Sequence, residues 1–204
     1  MIFQVFASDR PQEMELLIPP GPAMLYVEVG SFLLGNTALG PGKTDFVSGP
    51  KPLPIRGVGQ ICVWSIGKTP VEPPEHCKLV KTAPLSIAPG EVVFRLDTVG
   101  FPSGAVAYRH VHPGPGYRYL IKGALEIRSD HDSTEITPGE VWFEDTNSPV
   151  TAFNVTDGES QFVRAHLLPR DFLGKPSIKY LNDEDHDKPK LQSNHRFREH
   201  VVKI

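Results

Sequence analysis

The chain has 204 residues, a formal net charge of -3 and an isoelectric point near 6.2. This balance gives no electrostatic basis for a nucleic-acid partner or for binding to an anionic membrane. No apolar run approaches the roughly 18 residues of a membrane-spanning helix, and the opening residues lack the apolar stretch of a secretory signal. We therefore expect a cytoplasmic protein, in which Cys62 and Cys77 are reduced thiols.

Short strands separated by turns are predicted along the whole chain. The 18 glycines and 21 prolines interrupt the sequence too often for long helices. Apolar and alternating patterns predict strands at Leu25 to Val29, Ile61 to Ile66, Val92 to Val99, Ala105 to His112, Tyr117 to Ile121, Ala124 to Arg128, Glu140 to Glu144 and Phe162 to Leu168. Few or no long helices are expected, and the fold class is all-β.

The N-terminal third carries a weak internal repeat. Tyr26 precedes Gly30 by the same spacing that separates Tyr119 from Gly123, and a Pro-Gly pair follows in both segments. Two interpretations stay open: a degenerate, partial copy of the later segment, or additional strands that pack against it. In either case the proline-rich stretch from residue 68 to 74 is the expected linker.

The most informative segment runs from residue 104 to 123 and contains the pattern His110-Val111-His112. Residues two apart on a strand face the same side, so both imidazoles are expected to point to one place. Tyr108 shares their parity. The following Pro-Gly-Pro-Gly sequence predicts a turn after the second histidine.

This segment resembles the first sequence motif of the cupin superfamily. Gly104 is followed by five residues, His-x-His, three residues, position 116, six residues and Gly123, with Gly116 where the motif has glutamate. The second motif, counted from Gly139, keeps its spacing but departs from the family at three positions. The residues at its proline, glycine, histidine and asparagine positions are Asp145, Asn147, Val150 and Asn154.

The resemblance implies a cupin double-stranded β-helix, which is a jelly-roll barrel, and a homodimer. The domain division that we expect is a degenerate cupin-like repeat or extra strands at 1–75, the barrel at 76–170, and a C-terminal extension at 171–204. This extension would pack on the barrel or on a neighbouring subunit.

Cupin barrels commonly hold a metal on three histidines and one glutamate, and two of these four ligands, His110 and His112, are present here. The third ligand is open: His166 is one candidate, and Glu144 or Asp145 are others. The resemblance implies Fe, Mn, Ni or Zn at an incomplete site.

Three further residues are candidates for binding a substrate, namely Tyr108, Arg118 and Asn154. Arg118 should point inward by parity with position 116, and a buried guanidinium needs an anionic partner, from the protein or from a ligand. Arg164 and His166 share a face, but the sequence leaves open whether it is the inner one.

Two functional hypotheses follow. The first is a metal-dependent oxygenase, isomerase or lyase that acts on a small organic molecule such as a carboxylate. The alternative is a non-catalytic protein that binds or senses a small molecule without a metal.

Overall fold

The computed structural model describes residues 1–8, 12–73, 76–85 and 87–204. Strands make up 60% of the chain and helices 3%, and no helix within these ranges reaches seven residues. The all-β prediction is therefore confirmed. Pro74, the last residue of the predicted linker, lies outside the described residues. No helix in the described ranges is long and apolar enough to cross a membrane.

The first of two units comprises residues 1–89 together with residue 204. Its sheet has the order β4-β3-β6-β1-β7, with β2 paired to β6 and β5 paired to β3. The strands are β1 (Ile2–Ala7), β2 (Gln12–Ile18), β3 (Ala23–Leu34), β4 (Thr37–Leu39), β5 (Thr44–Val47), β6 (Leu53–Gly67) and β7 (Lys78–Pro84). Alternation of buried and exposed residues along β2 packs one face onto an apolar core.

The second unit comprises residues 90–203 and contains two five-stranded antiparallel sheets. Their orders are β13-β10-β15-β8-β17 and β12-β11-β14-β9-β16. The strands are β8 (Glu91–Phe101), β9 (Val106–Val111), β10 (Gly116–Lys122), β11 (Leu125–Arg128), β12 (Ser133–Ile136), β13 (Val141–Glu144), β14 (Val150–Asn154), β15 (Ser160–Pro169), β16 (Lys179–Tyr180) and β17 (Ser193–Lys203). Two 3-10 turns follow β15 and β16, at Arg170–Phe172 and Asp183–Asp185.

One apolar core joins the two sheets of the second unit. Phe101 and Phe162 come from the first sheet, and Ala107, Leu125 and Ala152 come from the second. Because both sheets contribute inward-facing apolar residues to this core, they form the two-layer barrel that the sequence predicts.

The unit boundary follows Pro89, whereas the sequence-based division was set after residue 75. The strand between these positions, β7, pairs with β1 and so belongs to the sheet of the first unit. At the other end of the chain, β16 pairs with β9 and β17 pairs with β8. The C-terminal extension therefore supplies an edge strand to each sheet of its own barrel.

Candidate functional site

Strand register arranges polar residues in two rows on one face of the sheet β13-β10-β15-β8-β17. Residues directly opposite one another form the first row: Trp142, Arg118, Arg164, Asp97 and Arg196. The second row lies two residues further along each strand, except in β17, where a bulge makes the distance three residues. Its members are Glu144, Gly116, His166, Arg95 and Glu199. Alternate residues of a strand share a face, so both rows lie on the inner face of the barrel.

The two rows contain four guanidinium groups and three carboxylates. Glu199 serves two arginines, with Oε1 at 2.7 Å from Arg95 Nε and Oε2 at 3.2 Å from Arg196 Nη1. One positive charge is therefore in excess, at the Arg196 end of the rows, where the side chain is 31% exposed. A guanidinium that shares its carboxylate partner can also pair with an anionic ligand, so this end of the rows favours one.

Arg164 is held in a fixed orientation by Asp97. The guanidinium donates from Nε to Oδ1 at 2.9 Å and from Nη2 to Oδ2 at 2.8 Å. This bidentate geometry leaves Nη1 directed at His112, whose Nε2 lies 3.4 Å away. Arg164 thus presents one donor to the centre of the barrel.

His110 and His112 enter the barrel from the opposite sheet, at the end of β9. His110 Nδ1 donates to the carbonyl of Tyr108 at 2.7 Å, and His112 Nδ1 donates to the carbonyl of Ser177 at 2.6 Å. A carbonyl oxygen only accepts hydrogen bonds, so each Nδ1 carries the proton and each Nε2 keeps its lone pair. Carbonyl partners of this kind orient metal-ligating histidines.

The barrel histidines are neutral because of their surroundings. Burial lowers the pKa of His110, and it lowers the pKa of His112 well below 6.5, with the nearby guanidinium charges of Arg164 and Arg118 adding to the effect. The pKa of His166 is lowered well below 6.5 for the same reasons. Burial also lowers the pKa of Arg118 to about 10, so that guanidinium remains charged at neutral pH.

Gly116, at the glutamate position of the first motif, faces the ring of His166. A Cβ at position 116 would lie 2.2 Å from His166 Cδ2 and 2.7 Å from the carbonyl oxygen of Ala165. His166 therefore fills the volume that a side chain at position 116 would need. Its Nε2 accepts a hydrogen bond from Arg118 Nη2 at 3.0 Å, while its Nδ1 has no hydrogen-bond partner among the described residues.

Glu144 brings a carboxylate to the site from the strand on the other side of Gly116. Its Oε1 accepts a hydrogen bond from Trp142 Nε1 at 2.9 Å. Its Oε2 forms an ion pair with Arg118 Nη2 at 2.6 Å and lies 3.8 Å from His112 Nε2, but it accepts no well-directed hydrogen bond within the described residues. The glutamate missing from β10 is thus supplied by β13.

Three potential ligands converge at this point. One ligand atom from each of His110, His112 and Glu144 lies within 4.8 Å of the others, and all three residues are buried. They line a cavity of about 310 Å³ that also contacts the C-terminal extension at Ser177 and Tyr180.

The sequence of residues 97–165 matches the family model described as the cupin domain. These residues include β9 to β14, the last five residues of β8 and the first six of β15. They contain the paired histidines and the first-row residues Asp97, Arg118, Trp142 and Arg164. The chain contains a cupin domain.

Solved structures with the same fold include AerE from Microcystis aeruginosa, which is 13% identical with a TM-score of 0.56 over 81% of this chain and 87% of that one. A variant of the Bacillus subtilis oxalate decarboxylase OxdC is 13% identical, with a TM-score of 0.58 over 90% of this chain and 70% of that one. Another structure of this decarboxylase, from work on its Mn(II) centers, is 14% identical over 88% of this chain and 71% of that one, with a TM-score of 0.58. No curated protein matches the chain in sequence.

Within the cupin domain, Arg118 lies where parity predicts. Its side chain is buried, lines the cavity and pairs with Glu144. Its Nη1 donates to the carbonyl of Gly116 at 2.7 Å. Arg164 and His166, whose shared face the sequence could not assign, both lie on the inner face of the barrel.

Tyr108, a candidate for substrate binding, does not line the cavity. β9 has a bulge relative to β14: His110 pairs with Val150 and Ala107 pairs with Ala152, so β9 has one more residue than β14 between the two pairs. This bulge ends the period-two alternation, so Ala107 replaces Tyr108 on the inner face. The ring of Tyr108 instead lies under the ammonium of Lys188, 5.1 Å from Nζ to the ring centroid.

Asn154, another candidate for substrate binding, is fully engaged within the protein. Its Nδ2 donates to the carbonyls of Phe101, Pro102 and Gly158, at 2.8, 3.0 and 2.7 Å. Its Oδ1 accepts from the Thr156 backbone, the Thr156 hydroxyl and the Ser160 hydroxyl. With no free donor or acceptor, its role is to hold the turn between β14 and β15.

The three candidates for the third metal ligand differ in position and in hydrogen-bond partners. Asp145 is exposed and its Oδ1 accepts a hydrogen bond from the backbone of Thr146. His166 lies beside His112, with ring centroids 4.8 Å apart, but its Nε2 is bonded to Arg118. Glu144 is the candidate whose carboxylate converges with the two histidines.

Sequence reasoning missed the Asp97–Arg164 pair and the contribution of Ser177. A signal for the pair exists, because Arg95 and Asp97 alternate within a mostly apolar strand, which the sequence predicts to be buried. Ser177 offers no such signal, since it acts through its backbone carbonyl.

Proposed function

We propose that the cupin domain binds a divalent transition metal through His110, His112 and Glu144 and acts on a small organic carboxylate held beside it. The observation that carries this proposal is the convergence of the three buried ligand atoms within 4.8 Å. The proposal replaces His166 with Glu144 as the third ligand.

The donor set fits a metal of the first transition series. Two neutral imidazoles and one carboxylate suit Fe and Mn, and this set with open positions is typical of iron enzymes that use oxygen. The Glu144 Oε2 atom is buried without a directed hydrogen bond, and both Nε2 lone pairs are oriented by carbonyl partners. When bound, the metal would act as a Lewis acid toward a substrate oxygen or as a redox centre.

The protein groups beside the ligands support an anionic substrate. The excess positive charge of the two rows attracts a carboxylate, and Arg164 Nη1 is held by Asp97 as a donor directed into the site. The Arg118–Glu144 ion pair keeps the metal-ligating carboxylate in place.

The metal is tested with a set of four proteins. Mn²⁺, Fe²⁺, Ni²⁺ and Zn²⁺ should raise the Tm of the wild type by several degrees at saturating concentration. The same rise should occur in Asp145→Asn, an exposed neighbour that serves as the control. It should shrink in Glu144→Gln and disappear in the double variant His110→Ala, His112→Ala.

The proposal is wrong if none of the four metals stabilises the wild type and metal analysis of the purified protein finds none. Oxygen consumption during turnover would separate an oxygenase from an isomerase or a lyase.

A second function is favoured by one contact. Arg164 Nη1 already lies 3.4 Å from His112 Nε2, and Arg118 pairs with Glu144, so both of these ligand residues have a cationic partner within the protein. In this case the domain binds or senses a carboxylate at Arg164 without a metal. Carboxylate binding that is unchanged after EDTA treatment and in Glu144→Gln would identify this function.

The predictions of a homodimer and of a cytoplasmic location stay predictions. Light scattering of the purified protein measures the first, and localisation of a tagged chain measures the second.

A further inference from the structure

The barrel cavity changes from charged to apolar along the direction of its strands. On β8 the inward residues are Asp97, Val99 and Phe101 in chain order. On the antiparallel strand β15, Arg164 lies opposite Asp97 and Phe162 lies opposite Val99. The opposite sheet shows the same change, from His110 to Ala107 on β9. Because inward positions of a strand repeat about every 7 Å, the apolar row lies one such step from the charged one.

This apolar part of the cavity, which we call the apolar recess, is lined by Val99, Phe101, Ala107, Trp142, Ala152 and Phe162. Three of these six residues are aromatic: the ring centroids of Phe162 and Phe101 lie 5.9 Å apart, and those of Phe162 and Trp142 lie 5.1 Å apart. Trp142 joins the two parts, because its Nε1 donates to Glu144 while its ring packs on Phe162.

Two small residues give the recess its space. Ala107 and Ala152 lie side by side as register partners on β9 and β14. Both line the cavity, so a larger side chain at either position would take up space in the recess. The whole cavity measures about 310 Å³.

A small polar anion cannot use this recess. Apolar walls offer no hydrogen-bond partners, so water is held there weakly and an unfilled apolar volume costs stability. A ligand that carries an apolar body behind its carboxylate would satisfy the charged row and fill the recess at once.

We propose that the physiological ligand is an amphipathic monocarboxylate with an aromatic or branched apolar body, rather than a small dicarboxylate. The carboxylate binds beside Arg164 and the metal that the three ligating residues would hold, and the body lies between Phe162 and the Ala107–Ala152 pair. The inference rests on the proposed function for its charged end only.

Four probes separate the two ends of the ligand by isothermal titration calorimetry. These are 3-phenylpropionate, with both ends, propionate, with the carboxylate alone, 3-phenylpropionamide, with the body alone, and oxalate. Burial of the phenyl ring should make 3-phenylpropionate at least about tenfold tighter than propionate, and loss of the charge should weaken the amide by a similar factor. Propionate or oxalate binding as tightly as 3-phenylpropionate would overturn the inference.

Filling the recess is the second test. Ala152→Leu should weaken 3-phenylpropionate by at least about tenfold and leave propionate unchanged. Ala38→Leu, the same change at an exposed alanine, should alter neither. Ala107→Val fills less volume and replaces Ala152→Leu if circular dichroism shows that the larger change prevents folding. Equal binding of 3-phenylpropionate by the filled variant and the wild type would contradict the assigned recess.

Each titration is run with Mn²⁺-loaded and EDTA-treated protein. Loss of the metal effect with the preference for 3-phenylpropionate retained would contradict the metal site and leave the ligand class standing. Stabilisation by the metal without a preference for 3-phenylpropionate would contradict the ligand class and leave the metal site standing.

Discussion

Gly116 and His166 occupy one shared volume on neighbouring strands. The ring of His166 lies where a Cβ at position 116 would be, and the Ala165 carbonyl closes the same space from the backbone side. The absence of a side chain at position 116 is therefore a packing requirement of this barrel. It also explains how a cupin domain can lack the motif glutamate and still have a carboxylate, Glu144, at its centre.

We expect Gly116→Ala to lower the free energy of unfolding by about 1–3 kcal/mol, the usual cost of overpacking. The same change in a His166→Ala background should cost less, because only the Ala165 carbonyl then remains in the way. Gly158→Ala is the control, since no atom lies within 4 Å of a Cβ at that position. Urea unfolding measures the free energy of the wild type, the three single variants and the double variant, and equal costs at 116 and 158 would contradict the shared volume.

Asn154 is predicted to stabilise the fold without binding a ligand. Asn154→Ala removes donors to three carbonyls and an acceptor for Thr156 and Ser160, and we expect a loss of about 2–3 kcal/mol in the free energy of unfolding. Metal-dependent stabilisation and the dissociation constant for 3-phenylpropionate should stay within twofold of the wild type. A variant with normal stability and impaired binding would restore the sequence-based role.

One buried arginine adds side-chain contacts between the barrel and its C-terminal extension. Arg95 on β8 donates to Glu199 on β17 and to the carbonyls of Phe172 and Lys175. The side chain of Arg95 is only 2% exposed, whereas that of Glu199 is 12% exposed. This contact links the C-terminal extension to β8, the strand beside β17 in the sheet.

Glu199→Ala should lower the free energy of unfolding by about 3–5 kcal/mol, because it leaves the buried Arg95 charge without its partner. Glu159→Ala removes the carboxylate of an exposed pair with Lys122 and should cost less than about 1 kcal/mol. Denaturant unfolding of both variants gives the comparison. Equal losses would mean that Arg95 is hydrated despite its burial.

Strand-level prediction succeeds where alternation is regular. Arg118 follows the parity of β10 and lies inside, as predicted. On β9 the bulge between His110 and Ala107 exchanges Tyr108 for Ala107, and no residue in that stretch marks it. The sequence leaves Glu144 as one of several candidate ligands, because identifying it requires knowing that β13 is the strand paired with β10. The order of strands in the sheet gives this pairing, and the local sequence does not.

The barrel as a whole holds three neutral histidines in its interior. The pKa values of His110, His112 and His166 are lowered mainly by burial, so the folded protein binds fewer protons than the unfolded chain below about pH 6.5. Each histidine therefore contributes stability that is fully present above its unfolded pKa and is lost as the pH falls toward the folded pKa.

For the EDTA-treated protein, the free energy of unfolding should fall below pH 6.5 with a slope of at most about 4 kcal/mol per pH unit, the limit for three histidines. His166→Asn should reduce this slope by about a third. His131→Gln, at an exposed position, should leave it unchanged. Urea titrations from pH 7.5 to pH 5 measure the slopes, and a flat profile would mean that the histidines are protonated in the folded state.

The contact between His112 and Ser177 has a consequence for experiments that replace residues one at a time. The carbonyl that fixes the His112 proton belongs to the peptide backbone, so Ser177→Ala preserves it and an alanine scan would score the position as neutral. Sequence comparison is equally blind to it, because any residue type supplies the same oxygen. Only a change in the main chain itself, such as an ester in place of the amide after Ser177, would weaken this acceptor.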